Sequence, residues 1–126
     1  MPDVIKTLNG VQVLVFSADA APITSEPDAN ALLEQIWAHD ASWIAIPVER
    51  LSDDFFALHT RLAGTVLQKF VNYRVQVAIV GDLSRHLARS TALNDFVRES
   101  NRGGAVWFVP DLDALALRLA GAPASR

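Results

Sequence analysis

The sequence predicts one α/β domain with the element order ββαβαβαβα and a mixed, mostly parallel five-stranded sheet with helices on both faces. Three observations predict this fold class. Short apolar runs without alternation, typical of strands buried on both faces, occur three times. Longer segments with apolar residues at helical spacing separate them. Two further apolar runs flank an Asn-Gly pair near the start, which indicates a hairpin. Strands that alternate with helices favour parallel pairing.

The first elements are a β-hairpin and a helix. Asn9-Gly10 suits a two-residue type I′ turn because both central residues of that turn need positive φ. After a polar loop, Ser25 is the expected N-cap of a helix that has Pro27 in its first turn. Apolar residues then recur at helical spacing, and we expect this helix to end near His39.

The remaining elements alternate regularly. We predict buried strands over residues 43–46, 75–80 and 105–109, helices over residues 53–73 and 90–101, and a last helix from Pro110-Asp111. Pro47 stops the first of these strands, and Gly103-Gly104 terminates the helix before the last strand. We assign residues 1–120 to the domain and residues 121–126 to a flexible tail.

Composition argues against several classes of function. There is no cysteine, which excludes a disulfide framework, a thiol nucleophile and a cysteine-based metal site. Eleven basic and fourteen acidic residues give a net charge of −3 without a basic stripe, so we expect no nucleic-acid partner. No apolar run approaches the roughly 18 residues of a membrane helix, and the N-terminus does not resemble a signal peptide. We therefore predict a cytoplasmic protein that does not bind membranes.

Several sequence blocks carry a resemblance to a known family. They are Asp53-Asp54-Phe55-Phe56, Arg61-Leu62-Ala63-Gly64, Leu67-Gln68-Lys69-Phe70, Asn72-Tyr73-Arg74 and Ala78-Ile79-Val80-Gly81-Asp82. Together they resemble a bacterial family of domains of unknown function over nearly the whole chain, and this resemblance implies no activity. The element order resembles, more loosely, the STAS-like domain of anti-sigma-factor antagonists. That second resemblance implies a regulatory domain that binds partner proteins.

The STAS-like resemblance raises the question of a serine switch. Such regulators are often controlled by phosphorylation of a serine at the start of the helix after the third strand. Ser52 lies near that place, without the Asp-Ser-Ser pattern expected there. Asp53 and Asp54 already place negative charge at this helix end and would repel a phosphate on Ser52. We therefore interpret Ser52 as a helix N-cap rather than as a phosphorylation site.

The predicted helix over residues 53–73 carries several candidate features. Its apolar stripe runs from Phe55 to Tyr73 and includes His59, which we interpret as a partly buried, hydrogen-bonded histidine rather than a base or ligand. Gly64 in mid-helix costs up to about 1 kcal/mol relative to alanine, which suggests that another backbone approaches closely there, either within the fold or from a partner. The opposite face is either a polar recognition strip or an ordinary solvated face; its members are Arg61, Thr65, Gln68 and Asn72.

A second group of candidates lies at the carboxyl ends of the predicted parallel strands, where open α/β sheets bind ligands. The candidates are Asp19, Glu49, Arg50, Asp82 and Arg85. Carboxylates with arginines suit acid–base chemistry or anion binding, and they suit ordinary caps and surface ion pairs equally well. No phosphate-binding or nucleophile motif accompanies them. We identify no catalytic residue, metal ligand or cofactor site, which favours a non-enzymatic function without deciding the question.

Two hypotheses of function follow. The first is a small regulatory or scaffold domain that acts by protein–protein contact or self-association, for example as a homodimer. It rests on the STAS-like order, three tryptophans and a wide apolar arc on helix 53–73, and solvent-exposed Leu58 or Val71 would support it. The second is a small-molecule or anion site at the strand-end rim. Across both hypotheses the candidate binding residues are Arg50, Ser52, Asp53, Arg61, Gly64, Gln68, Asn72, Asp82 and Arg85.

Overall fold

A computed structural model describes residues 4–17, 23–24, 26–39, 41–57 and 61–121 of the chain. The strands are β1 (Val4–Leu8), β2 (Val11–Val15), β3 (Trp43–Pro47), β4 (Gln76–Val80) and β5 (Val106–Val109). The helices are α1 (Glu26–His39), α2 (Asp53–Phe56), α3 (Leu62–Asn72), α4 (Ser84–Leu87), α5 (Thr91–Arg102) and α6 (Leu112–Gly121). A short 3-10 helix, Val48–Arg50, follows β3. No helix in these ranges is long and apolar enough to cross a membrane.

The five strands form one mixed sheet in the order β1-β2-β3-β4-β5. β1 pairs antiparallel with β2, and the other neighbours pair in parallel. The predicted α/β fold with a mixed, mostly parallel sheet is therefore confirmed. The hairpin turn has the predicted conformation as well, because Asn9 and Gly10 have φ of 50° and 82°.

The helices lie on both faces of the sheet, as predicted, but they are distributed unequally. Each parallel strand is added beside the previous one, so crossovers of one hand place their helices on the same face. That face holds the larger core, to which α1, α2, α3 and α5 contribute buried side chains. Among the described helices, α6 alone packs on the other face, where Leu115 lies against the strand residues Val13, Trp43 and Trp107.

Two polar contacts from the middle of α6 connect this helix to neighbouring elements. Asn9 Nδ2 in the hairpin turn donates to the carbonyl of Ala116, and Arg118 Nη2 donates to the carbonyl of Asn101 at the end of α5. The Arg118 guanidinium also lies 4.2 Å from the ring centroid of Trp107, a cation–π contact. The Trp107 ring in turn packs on the Trp43 ring, with 4.6 Å between centroids.

The prediction of one continuous helix over residues 53–73 is wrong. α2 ends at Phe56, Ala57 has extended backbone angles, and Arg61 takes a left-handed conformation with φ of 64° before α3 begins. Phe55 and Phe56 are both buried. At about 100° per residue, one continuous helix would place Phe55 and Phe56 on the same apolar arc as the buried residues Ala63, Val66 and Phe70. The apolar pattern therefore does not reveal the break, which the extended backbone of Ala57 and the left-handed backbone of Arg61 produce.

The end of α3 also differs from the predicted stripe. Tyr73 stands at the C-cap with an exposed ring instead of lying in the buried stripe. Arg74 follows with φ of 63°. The Val75 N–H donates to the Phe70 carbonyl and the Arg74 N–H to the Val71 carbonyl, each at 2.9 Å. This is a Schellman motif in which arginine occupies the position that usually holds glycine.

Some expectations fall outside the described residues. These are the Ser25 cap, the loop residue Asp19, Leu58 and His59 in the predicted helix, and the tail beyond residue 121. The short helix α4 was not predicted, because its four residues carry no periodic apolar pattern.

Candidate functional sites

Arg50 makes hydrogen bonds that connect separate segments of the chain near the carboxyl ends of the strands. Its side chain is buried, and Nη1 donates to the Ser17 carbonyl at 2.8 Å. Its own carbonyl accepts from the Ile23 N–H at 2.6 Å. These contacts connect Ser17 and Ile23 to the 3-10 helix after β3. The guanidinium predicted for the rim is thus engaged within the fold.

Asp82 organises the turn between β4 and α4. Its Oδ1 accepts from the Ser84 hydroxyl at 2.6 Å and from the Ser84 N–H at 2.9 Å. The hydroxyl bond, and secondly the N–H bond, lower the pKa of Asp82 below its usual value. Gly81 before it has φ of 140°, and a Cβ there would stand 2.8 Å from Val48 Cγ2. The predicted Gly81-Asp82 turn is therefore a tight structural turn.

Arg85 forms an ion pair with Asp53, another of the predicted candidate residues. Its Nη2 lies 3.2 Å from Asp53 Oδ1, which links α4 to the start of α2. The same nitrogen lies 3.3 Å from His86 Nε2. Arginine only donates, so the His86 ring accepts at Nε2 and its Nδ1 carries the hydrogen. The His86 ring stacks on Phe56 at 4.2 Å between centroids and 23° between planes.

A cavity of about 490 Å³ opens between α2 and the α4–α5 junction. Its lining includes Asp53, Asp54, Phe56, His86, Arg89 and Ser90; these six residues define what we call the α2–α4 cavity. Burial lowers the pKa of His86; the positive charge of Arg85 and, less strongly, that of Arg89 lower it further, while Asp53 opposes them. The lowered pKa favours the neutral imidazole at pH 7.

Sequence reasoning missed His86, Arg89 and Phe56 as parts of this cavity. A signal was present, because Arg85, His86 and Arg89 form the densest basic group in the chain and directly follow the Gly81-Asp82 turn. Their meeting with Asp53 depends on the unpredicted helix α4, which turns Arg85 and His86 toward α2.

Ser52 occupies the N-cap position of α2 only by its backbone. Its carbonyl accepts from the Phe55 N–H at 3.0 Å, but its hydroxyl makes no capping bond. Within the described part of the chain, Oγ is buried and has no hydrogen-bond partner. The predicted position is correct, whereas the predicted capping role of the hydroxyl is wrong.

The polar strip of α3 lies on an exposed surface. Gln68 Nε2 donates to Asn72 Oδ1 at 2.8 Å, and both line a depression of about 410 Å³ with Thr65, Lys69 and Tyr73. Arg61 precedes α3 and is exposed. Gly64 is exposed too, and no described atom lies within 4 Å of a Cβ built on it. Within the described part of the fold, no other backbone approaches Gly64 closely, and approach by the backbone of a partner stays a prediction.

Two exposed aromatic rings adjoin this depression. Trp37 of α1 and Tyr73 pack edge to face, 5.3 Å apart, with 56% and 52% of each residue exposed. Trp43 and Trp107, by contrast, are 4% exposed. We call Trp37, Thr65, Gln68, Lys69, Asn72 and Tyr73 the aromatic surface. The sequence placed Tyr73 in a buried stripe, so it did not predict this pair.

The described residues contain no group of three or more histidine, aspartate or glutamate residues that could hold a metal ion.

Fold and surface define a single-domain α/β protein with a mixed five-stranded sheet, a cavity beside α2 and an exposed aromatic pair. Residues 8–119 match the sequence model of a family described as a domain of unknown function, DUF4180, and the chain belongs to this family. No curated protein and no solved structure matches the chain.

Proposed function

We propose that this domain works by binding another protein through the aromatic surface of α1 and α3. The observation that carries the proposal is the exposure of the Trp37–Tyr73 pair. Tryptophan and tyrosine are enriched among the residues that dominate binding energy at protein interfaces. A partner that covers such rings gains about 25 cal/mol of binding free energy for each Å² of apolar surface removed from water.

The surroundings of the pair favour a short segment of a partner as the occupant. The depression next to Tyr73 presents the amide groups of Gln68 and Asn72, which can donate to and accept from a peptide backbone. A stable dimer interface buries about 800 Å² on each partner, far more than two aromatic rings supply. Leu117, the most exposed large apolar residue in the described ranges, lies on α6 across the sheet and cannot extend this surface.

The regulatory role and the STAS-like type form part of the same proposal. The order ββαβαβαβα, on which that resemblance rests, is the order of the major elements. We place the domain in the cytoplasm, in keeping with a chain that has no cysteine. The proposal does not include a phosphoserine switch, because the Ser52 hydroxyl is buried and therefore closed to a kinase.

Trp37 offers a direct test, because it is the exposed member of the three tryptophans. Wild type, Trp37→Ser and Leu117→Ser proteins serve as baits in parallel captures, and each enriched protein is purified and titrated against the domain. We expect a partner that binds wild type and Leu117→Ser alike and loses at least about tenfold in affinity for Trp37→Ser. Binding should also shift the tryptophan emission to shorter wavelength as Trp37 leaves water.

Leu117→Ser is the matched control, because it removes an exposed apolar side chain on the opposite face. The proposal fails if every partner that binds directly is unaffected by Trp37→Ser. Sedimentation of the purified domain separates a further outcome: a dimer abolished by Trp37→Ser would make a second copy, rather than another protein, the occupant.

A further inference from the structure

We propose that the α2–α4 cavity binds a small zwitterion, a molecule of amino-acid size that carries one ammonium and one carboxylate group. Its volume of about 490 Å³ lies within the range of roughly 300–1,000 Å³ found for small-molecule sites. The cavity is formed by α2, α4 and α5, whereas the aromatic surface is formed by α1 and α3. This inference therefore does not depend on the proposed protein partner.

One wall of the cavity supplies negative charge. Asp53 and Asp54 both come from the first turn of α2, and both are exposed. Carboxylates form short, charge-assisted hydrogen bonds to an ammonium group. Asp53 Oδ1 also lies 3.2 Å from Arg85 Nη2, which links the acidic wall to α4.

The other wall supplies positive charge. Arg89 lies between α4 and α5 and lines the same cavity as the two aspartates. A guanidinium group can bind a carboxylate through two parallel hydrogen bonds. The stacked pair of Phe56 and His86 also lines the cavity and gives the ligand an apolar face to rest on.

The balance of charge selects the class of ligand. The lining carries the carboxylates of Asp53 and Asp54 and the guanidinium of Arg89, so a simple anion meets like charge on α2 and a simple cation meets like charge at Arg89. A molecule with both charges can pair with both kinds of group at once. His86, neutral and fixed between Arg85 and Phe56, adds no net charge and helps to pre-organise the site.

Titration of the ¹⁵N-labelled domain at pH 7 with each of the twenty proteinogenic amino acids tests the proposal. We expect at least one to produce saturable shifts at the amides of Ala57, His86 and Ala92, with a dissociation constant of about 1 mM or below. Its N-acetyl and carboxamide derivatives, which each lack one charge, should bind at least about tenfold more weakly.

Single substitutions in each wall, with a control outside the cavity, test whether these residues bind the ligand. Asp54→Asn and Arg89→Gln should each weaken the amino acid at least about tenfold with the amide spectrum otherwise retained. Arg98→Gln should leave binding unchanged, because Arg98 pairs with Asp95 on the exposed face of α5 and does not line the cavity. The proposal is overturned if no amino acid gives saturable shifts at these amides, if acetate or methylamine alone binds as well, or if both wall variants bind like wild type.

Discussion

Gly81 and Val48 approach each other so closely that a Cβ on Gly81 would lie 2.8 Å from Val48 Cγ2 and 3.0 Å from Val48 Cβ. The contact packs the turn after β4 against the 3-10 helix after β3. It also places Gly81 at φ of 140°, a conformation that side chains rarely adopt. Both conditions make glycine necessary at this position.

We therefore expect Gly81→Ala to lower the free energy of unfolding by about 2 kcal/mol or more, from steric overlap and backbone strain together. Urea denaturation followed by circular dichroism measures the loss. Val48→Ala combined with Gly81→Ala should recover part of it, because the contacted methyl groups are gone while the strained φ remains. Full retention of stability in Gly81→Ala would contradict this geometry.

Gly64→Ala should have the opposite effect. Gly64 is helical and exposed, and no described atom would meet its Cβ. Alanine reduces the backbone entropy of the unfolded chain, so we expect a gain of up to about 1 kcal/mol in the free energy of unfolding. The same urea titration provides the measurement, and a loss of stability would show that the position needs a close neighbour after all.

Two serines at the starts of helices should respond differently to alanine. Ser90 Oγ accepts from the Leu93 N–H at 3.0 Å, so Ser90→Ala should cost about 1 kcal/mol. Ser52 Oγ is buried without a described partner, so Ser52→Ala should be neutral or stabilising. Thermal unfolding of the two variants side by side gives the comparison. An equal loss in both would mean that the Ser52 hydroxyl has a partner.

Arg74 provides a test of the Schellman motif at the end of α3. Its φ of 63° disfavours a residue with a Cβ. Arg74→Gly should therefore raise the free energy of unfolding by up to about 1 kcal/mol. Arg74→Ala is the control, since it removes the charge and keeps the Cβ, and it should bring no such gain. If alanine stabilises as much as glycine does, charge rather than backbone conformation is responsible.

The lowered pKa of His86 makes a prediction about acid stability. In the unfolded chain a histidine titrates near 6.5, whereas burial first, and Arg85 next, hold the pKa of His86 lower in the folded state. The unfolded state then binds the proton more readily. His86 therefore supports the fold above about pH 6.5, and this support declines as the pH falls toward the folded pKa.

NMR titration of the His86 ring measures the folded pKa directly, and a value above that of a model peptide would contradict the prediction. Denaturation of wild type and His86→Phe across the same pH range isolates the contribution of this residue. The phenylalanine retains a ring against Phe56 and cannot titrate, so the fall in stability on acidification should be shallower in the variant.

The parts of the fold that the sequence predicts are those set by local chemistry. Asn9-Gly10 fixes the hairpin because its turn type demands positive φ from both residues. The apolar runs of β3, β4 and β5 identify strands because a sheet covered on both faces leaves no polar alternation. Asp111 starts the last helix as expected, with Oδ1 accepting from the Ala114 N–H at 2.8 Å.

The features that escaped prediction depend on contacts between distant elements. The break between Phe56 and Leu62 has no signal in the apolar pattern, because a continuous helix would place Phe55 and Phe56 on the same arc as Val66 and Ala63. Ile36 and Trp37 are neighbours, yet only the orientation of α1 decides that the tryptophan faces solvent. Asp53 and Arg85 both stood among the candidates, but their pairing depends on the unpredicted α4.

The order β1-β2-β3-β4-β5 has a consequence for how the chain is made. Each strand pairs with the one synthesised just before it, so the sheet can assemble in the order in which a ribosome delivers it. The last helix is different, because α6 emerges from the ribosome after all five strands. Among the described helices, α6 is the one that covers the sheet face with Trp43 and Trp107. Until α6 has emerged, a nascent chain with a finished sheet presents two tryptophans to chaperones and to other nascent chains.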